Sequence, residues 1–172
     1  MIRTIFGLLL FISVNLQATL VNDAIAQAQK GNNEKAVTLF IQACENKEEL
    51  GCYYAGQAYQ KGKVIKQDLI KAFDFFQKSC DLGSNDGCVE VAKAYYYGEG
   101  TPKDYVKSKA IFENACRDSE ASACYILGLM HELGQGVERD RVVAKQYYKQ
   151  ACDLADEGGC KYYQELTKAG VK

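Results

Sequence analysis

Three stretches of the chain carry small and apolar residues at steps of three and four. They are Cys52, Ala55, Gly56, Tyr59 and Gly62; Cys88, Val91, Ala92, Tyr95 and Gly98; and Cys124, Leu127, Gly128, His131 and Gly134. This spacing predicts helices with small residues where a second helix must come close. A glycine-containing loop follows each: Gly62-Lys63-Val64-Ile65-Lys66-Gln67, Gly98-Glu99-Gly100-Thr101-Pro102-Lys103 and Gly134-Gln135-Gly136-Val137-Glu138-Arg139. The glycines permit the positive φ that ends a helix, and Asp68, Asp104 and Asp140 stand where the next helix needs an N-cap. The second helix shows Ala72, Phe73, Phe76 and Cys80, then Ser108, Lys109, Phe112 and Cys116, then Ala144, Lys145, Tyr148 and Cys152. The repeating element is an αα-hairpin.

The cysteines set its period. All eight fall into four C-x7-C pairs, Cys44/Cys52, Cys80/Cys88, Cys116/Cys124 and Cys152/Cys160, and each member recurs every 36 residues. A fixed period of this size means a repeat array. The first cysteine of a pair ends one hairpin and the second begins the next, so pairing staples neighbours together. Loop-closure arithmetic gives about 2.5 kcal/mol per bridge. In a solenoid, where each repeat touches only its neighbours, such staples raise the cooperativity of the array. The predicted fold class is all-α, a right-handed αα-solenoid of about nine helices. Its predicted parts are a leader at 1–18, a short αα-hairpin at 19–50, full repeats at 51–86, 87–122 and 123–158, and a capping helix within 159–172.

Residues 1–18 read as a secretory signal peptide: Arg3, an uncharged run from Ile5 to Val14, and the small residue Ala18 at the cut. The apolar run is short for a bilayer span. The first cysteine, Cys44, is far from the cut, where a lipid-anchored protein would carry one. Export agrees with an even set of regularly spaced cysteines forming a disulfide framework. Short zinc-type cysteine pairs are absent and the chain has one histidine, so no metal site and no cofactor is expected. The chain has 21 basic and 22 acidic residues; loss of Arg3 leaves 20 against 22, a net −2, with no basic face for nucleic acid. No lysine-rich amphipathic segment suggests membrane binding once the leader is removed.

These residues resemble the Sel1-like repeat family, in the disulfide-bridged form of the Helicobacter cysteine-rich proteins. The resemblance lies in Leu127-Gly128 through Gly134-Gln135-Gly136-Val137, in the aspartate opening each second helix, and in Phe112 to Cys116 and Tyr148 to Cys152. The C-x7-C pair is its sharpest element. Ala55 and Val91 depart from the family's leucine, and His131 from its tyrosine. The resemblance implies a bacterial protein, periplasmic or secreted, that binds peptides or protein partners; a peptidoglycan-like fragment is a further expected ligand, on the chemistry of the face described below. It also implies a second activity, weak binding or hydrolysis of β-lactams.

Catalytic residues are not recognisable. No serine is followed by lysine three residues later, Ser84-Asn85-Asp86 is only a scrambled S-D-N, and Lys168-Ala169-Gly170 lacks the threonine of K-T-G. His131 replaces the packing tyrosines Tyr59 and Tyr95 and is expected in the core with one satisfied nitrogen. Tyr148 is likewise a packing residue. On the first helix of each repeat the residues at 58, 94 and 130 (Ala58, Ala94, Met130) are expected to pack. That leaves a free stripe of Tyr53, Gln57, Gln60 and Lys61, then Val89, Lys93, Tyr96 and Tyr97, then Tyr125, Leu129, Glu132 and Leu133. By similarity to tetratricopeptide arrays this is the expected concave, ligand-binding face; its tyrosines and amides suit a peptide or a cell-wall fragment.

Overall fold

The computed structural model describes residues 20–172, and the expected leader lies outside the described residues. Among the described residues there are nine helices and no strand. They are α1 (20–29), α2 (Asn33–Glu45), α3 (Glu49–Lys61), α4 (Leu69–Asp81), α5 (Asn85–Tyr97), α6 (Tyr105–Arg117), α7 (Ala121–Leu133), α8 (Arg141–Asp153) and α9 (Glu157–Lys168).

The two ends of each hairpin are built differently. At one end, Gly62, Gly98 and Gly134 take φ of 63°, 77° and 70° and stop α3, α5 and α7. The loop then closes on itself, with the backbone N–H of Asp68, Asp104 and Asp140 donating to Tyr59, Tyr95 and His131 carbonyls at 2.9–3.0 Å. The same aspartates accept from the first turn of the next helix: Asp68 from Lys71 N and Asp104 from Lys107 N, both at 3.0 Å. Asp140 accepts from Val142 N and Val143 N at 2.8 and 3.1 Å. These bonds satisfy N–H groups that no helix can satisfy internally.

At the other end a tight turn lies inside each disulfide ring. The amides of Glu48, Ser84, Glu120 and Asp156 donate back to Ala43, Ser79, Ala115 and Ala151 at 2.9–3.0 Å, the Schellman arrangement. The residue before each amide is left-handed: Lys47 (φ 65°), Gly83 (99°), Ser119 (69°) and Ala155 (67°). Only one of the four is glycine. All four C-x7-C disulfides are formed, with Cα–Cα distances of 4.4, 4.5, 4.8 and 4.3 Å in chain order. Gly51, Gly87 and Gly159 make this approach possible. A Cβ on them would lie 2.5, 2.7 and 2.6 Å from the Cβ of Ala43, Ser79 and Ala151. The fourth such position is Ala123, and its bridge is the widest.

The chain forms two compact units, the first ending at Cys88 and the second running Val89–Lys172, so the boundary falls within α5. In the first, Val21, Ala24, Ala36, Phe40, Ala43 and Ala55 make one buried cluster. Gly56 leaves room for the buried Phe76, whose ring carbons would lie 2.7 Å from an added Cβ. Buried Ser79 donates to the Glu49 carbonyl at 2.8 Å. In the second unit Phe112, Ala123, Ile126, Leu127, Met130 and Ala151 belong to the main core. Gly128 admits the Tyr148 ring as Gly56 admits Phe76, and buried Ser108 donates to the Ala92 carbonyl at 2.8 Å. α9 covers the last hairpin: Leu166 packs with Ala144 and Tyr148, and Val171 joins them while its carbonyl accepts from Lys145 Nζ at 2.6 Å.

Candidate functional site

In the second unit the structure divides the expected stripe. Val89 and Tyr96, expected to be free, are buried and belong to the core. The reason lies in what packs over them. The Tyr96 ring meets Tyr105 edge-on at 5.5 Å and its hydroxyl donates to Gln135 Oε1 at 2.5 Å, in the loop after α7. Burial, with Tyr97, Tyr105 and Tyr125 close by, pushes the Tyr96 phenol up to about 12. Lys93 is half-buried and paired with Glu90 at 2.7 Å. Tyr97 and Leu133, one period apart, stand out from the surface with 51% and 58% of their area exposed.

Tyr125, Leu129 and Leu133 lie four residues apart on α7 and share one face. Tyr125 is half-buried, 5.9 Å from both Tyr148 and Tyr162, and burial raises its phenol above the usual value. Leu129 packs against the Ala144, Tyr148 and Leu166 cluster. Glu132 accepts from the Tyr148 hydroxyl at 2.8 Å and reaches Arg141 at 3.9 Å. Burial, and then this bond to a carboxylate, raises the Tyr148 phenol strongly.

In the first unit Tyr53 contacts Tyr54 at 5.6 Å and Phe76 at 6.0 Å, so its ring is part of the packing. Gln60 is half-buried, its carbonyl taken by Gln67 Nε2 at 2.8 Å. Gln57 and Lys61 are joined by a 3.0 Å bond from the ammonium to the amide oxygen. Both line a cavity of about 400 Å³ with Phe40, Tyr54, Ala58 and Val64. Ala94 and Met130 are buried as expected, whereas Ala58 is half-buried and looks into this cavity. Phe40, Tyr54 and Val64 escaped the sequence-based assignment because they belong to α2, to the neighbouring face of α3 and to the loop. The one signal was Val64 standing where the other loops carry Gly100 and Gly136.

His131 is half-buried and stacks on Tyr147 at 5.5 Å. Its Nδ1 is buried without a hydrogen-bond partner. Burial, and next the Lys109 ammonium, lowers its pKa. Ser79 and Ser108 spend their hydroxyls on backbone carbonyls. Among the described residues there is no cluster of histidine, cysteine and carboxylate side chains able to hold a metal ion. No helix among them is long and apolar enough to cross a membrane. What the surface offers is aromatic and aliphatic faces beside amides and ammonium groups, the chemistry of recognition.

A protective antigen of uropathogenic Escherichia coli with an SLR fold is similar over 90% of this chain and 34% of its own, at 22% identity and a TM-score of 0.84. A Sel1 repeat protein from Oxalobacter formigenes is similar over 91% of this chain and 66% of its own, at 22% identity and a TM-score of 0.81. The chain thus spans about a third of the first and about two thirds of the second. Helicobacter pylori cysteine rich protein B matches over 74% of this chain and 92% of its own, at 28% identity and a TM-score of 0.55. No curated protein matches the chain. The Sel1 repeat model matches residues 27–47, 50–84, 85–119 and 121–156, most of the sequence. With its disulfide-linked αα-hairpins and its solenoid neighbours, the chain belongs to the Sel1 repeat family.

Proposed function

We propose that the chain is an exported protein-interaction array that captures a peptide, or a segment of a protein partner, on the α5 and α7 face of its second unit. The observation that carries this is the exposure of Tyr97 and Leu133 at one repeat position, on α5 and α7 of the same unit. A tyrosine and a leucine left half in water are anchors awaiting a partner, and Tyr125 and Leu129 extend the apolar face along α7. Four closed disulfides support an oxidising, extracytoplasmic location. β-Lactam turnover, the other activity implied by the resemblance, finds no supporting arrangement among the described residues.

The test is a double variant, Tyr97→Ala with Leu133→Ala, assayed for ligands selected on the oxidised protein. Both side chains are about half in water, so Tm is expected to stay near that of the unaltered protein while affinity falls about tenfold or more. Unchanged affinity would remove these residues from the binding surface. Tyr96→Ala is unsuitable as a probe, because it empties a core position.

A further inference from the structure

The first unit carries a groove beside Lys61, the residue at the same repeat position as Tyr97 and Leu133 in the second. The cavity of about 400 Å³ between α2 and α3 adjoins a more open one of about 690 Å³ at the α1–α2 turn, with Asn33, Lys63 and Val64 lining both. Its floor is apolar: Val37, Phe40, Tyr54, Ala58 and Val64, with the Phe40 and Tyr54 rings 4.8 Å apart. Its rim is basic. Lys35, Lys61 and Lys63 stand around it against a single carboxylate, Glu34. None of the three lysines is in an ion pair among the described residues. Asn33 and Gln57 place amides on the wall between floor and rim.

We infer that this groove binds an acidic peptide segment in which an apolar side chain neighbours a carboxylate. The apolar side chain fills the space above Phe40, Tyr54 and Ala58. The carboxylate, from Asp, Glu or a free C-terminus, is held by Lys61 and Lys63, with Lys35 further out. Lys61 is already oriented by Gln57, and Asn33 can bond the peptide backbone. The choice of an acidic occupant follows from charge: an apolar slot lined by Lys61 and Lys63, with Lys35 in the adjoining cavity and none of the three in an ion pair, favours an anion and rejects a basic segment.

The test is a selection from displayed random octapeptides on the oxidised full chain, followed by anisotropy titration of the enriched sequences. Enrichment of Asp or Glu beside Leu, Ile or Phe is expected. So is a loss of about tenfold or more in affinity with Lys61→Glu and Lys63→Glu together, two surface charge reversals. Ala58→Leu, which fills the slot without touching charge, should weaken the same peptides while leaving Tm near that of the unaltered protein. Enriched sequences without acidic residues, or affinities indifferent to these variants, would overturn the inference. Peptides lost in the Tyr97→Ala/Leu133→Ala variant and kept in Lys61→Glu/Lys63→Glu would place binding on the other unit, so the two proposals fail separately. Equal binding of a basic control peptide would also refute it.

Discussion

The four turns inside the disulfide rings are the same turn with different residues at its left-handed position. Lys47, Ser119 and Ala155 hold φ of 65°, 69° and 67° where Gly83 serves in the remaining turn. A left-handed L-residue costs about 1–2 kcal/mol against the right-handed well. Glycine avoids that penalty but gives up more freedom on folding, about 0.5–1 kcal/mol. All three side chains are exposed, so removing them forfeits no packing. Each of Lys47→Gly, Ser119→Gly and Ala155→Gly should therefore stabilise by about 0.5–1 kcal/mol, and the triple variant by about 2 kcal/mol. For a chain of this length that raises Tm by about 4–8 °C. Gly83→Ala should move stability the opposite way by a similar amount. The assay is urea and thermal unfolding of the oxidised protein. If Ala155→Gly destabilises, or Gly83→Ala leaves stability unchanged, the left-handed position carries no strain and the reasoning is refuted.

Gly51→Ala sets a helix-propensity gain of about 1 kcal/mol against a clash with the Ala43 Cβ at 2.5 Å and the Cys44 backbone nitrogen at 2.8 Å. Overpacking against backbone costs about 1–3 kcal/mol, so unfolding should show a net loss near 1 kcal/mol; a gain in stability would show that the helices part freely. Tyr96, pushed up to about 12 in the fold from an ordinary value of 10, stabilises fully below pH 10 and loses that contribution as pH rises through 12. Alkaline unfolding followed by phenolate absorbance should lose this component in Tyr96→Phe; an identical alkaline limb in both proteins would contradict it. Graded reduction with alkylation and mass mapping should open Cys80–Cys88 and Cys152–Cys160 first, because their sulfurs belong to half-buried residues. The other four cysteines are buried. Simultaneous opening of all four would contradict that order.

The features readable from sequence are those fixed by chemistry within one repeat. Cysteine spacing located the bridges, and the aspartates and glycines located caps and helix ends, because each acts on backbone a few residues away. The stripe was harder, since the fate of a side chain on a first helix depends on a different loop or helix. Tyr96 looked free by period alone, and its burial comes from Tyr105 and Gln135 in later elements. Tyr53 was drawn into packing by Phe76. The groove in the first unit was legible only in Gln57 and Lys61, because its wall combines two helices with a loop and the rest of its basic rim, Lys35 and Lys63, lies off the first helix. The left-handed Lys47, Ser119 and Ala155 were equally hidden, as nothing in their identity announces the conformation.

The alternation of glycine loops and disulfide turns has a mechanical consequence. Within each unit the covalent bridges all fall on one edge of the hairpins and the loops on the other. Such a unit is bound like a book along its spine. Its leaves part most easily at the fore-edge, so amide exchange should be fastest in the loops and slowest beside the cysteines. In the first unit the lysine-rimmed groove opens toward that fore-edge, between the α1–α2 turn and the loop carrying Lys63. The peptide inferred for that groove would enter where the leaves part and leave the bridged edge untouched.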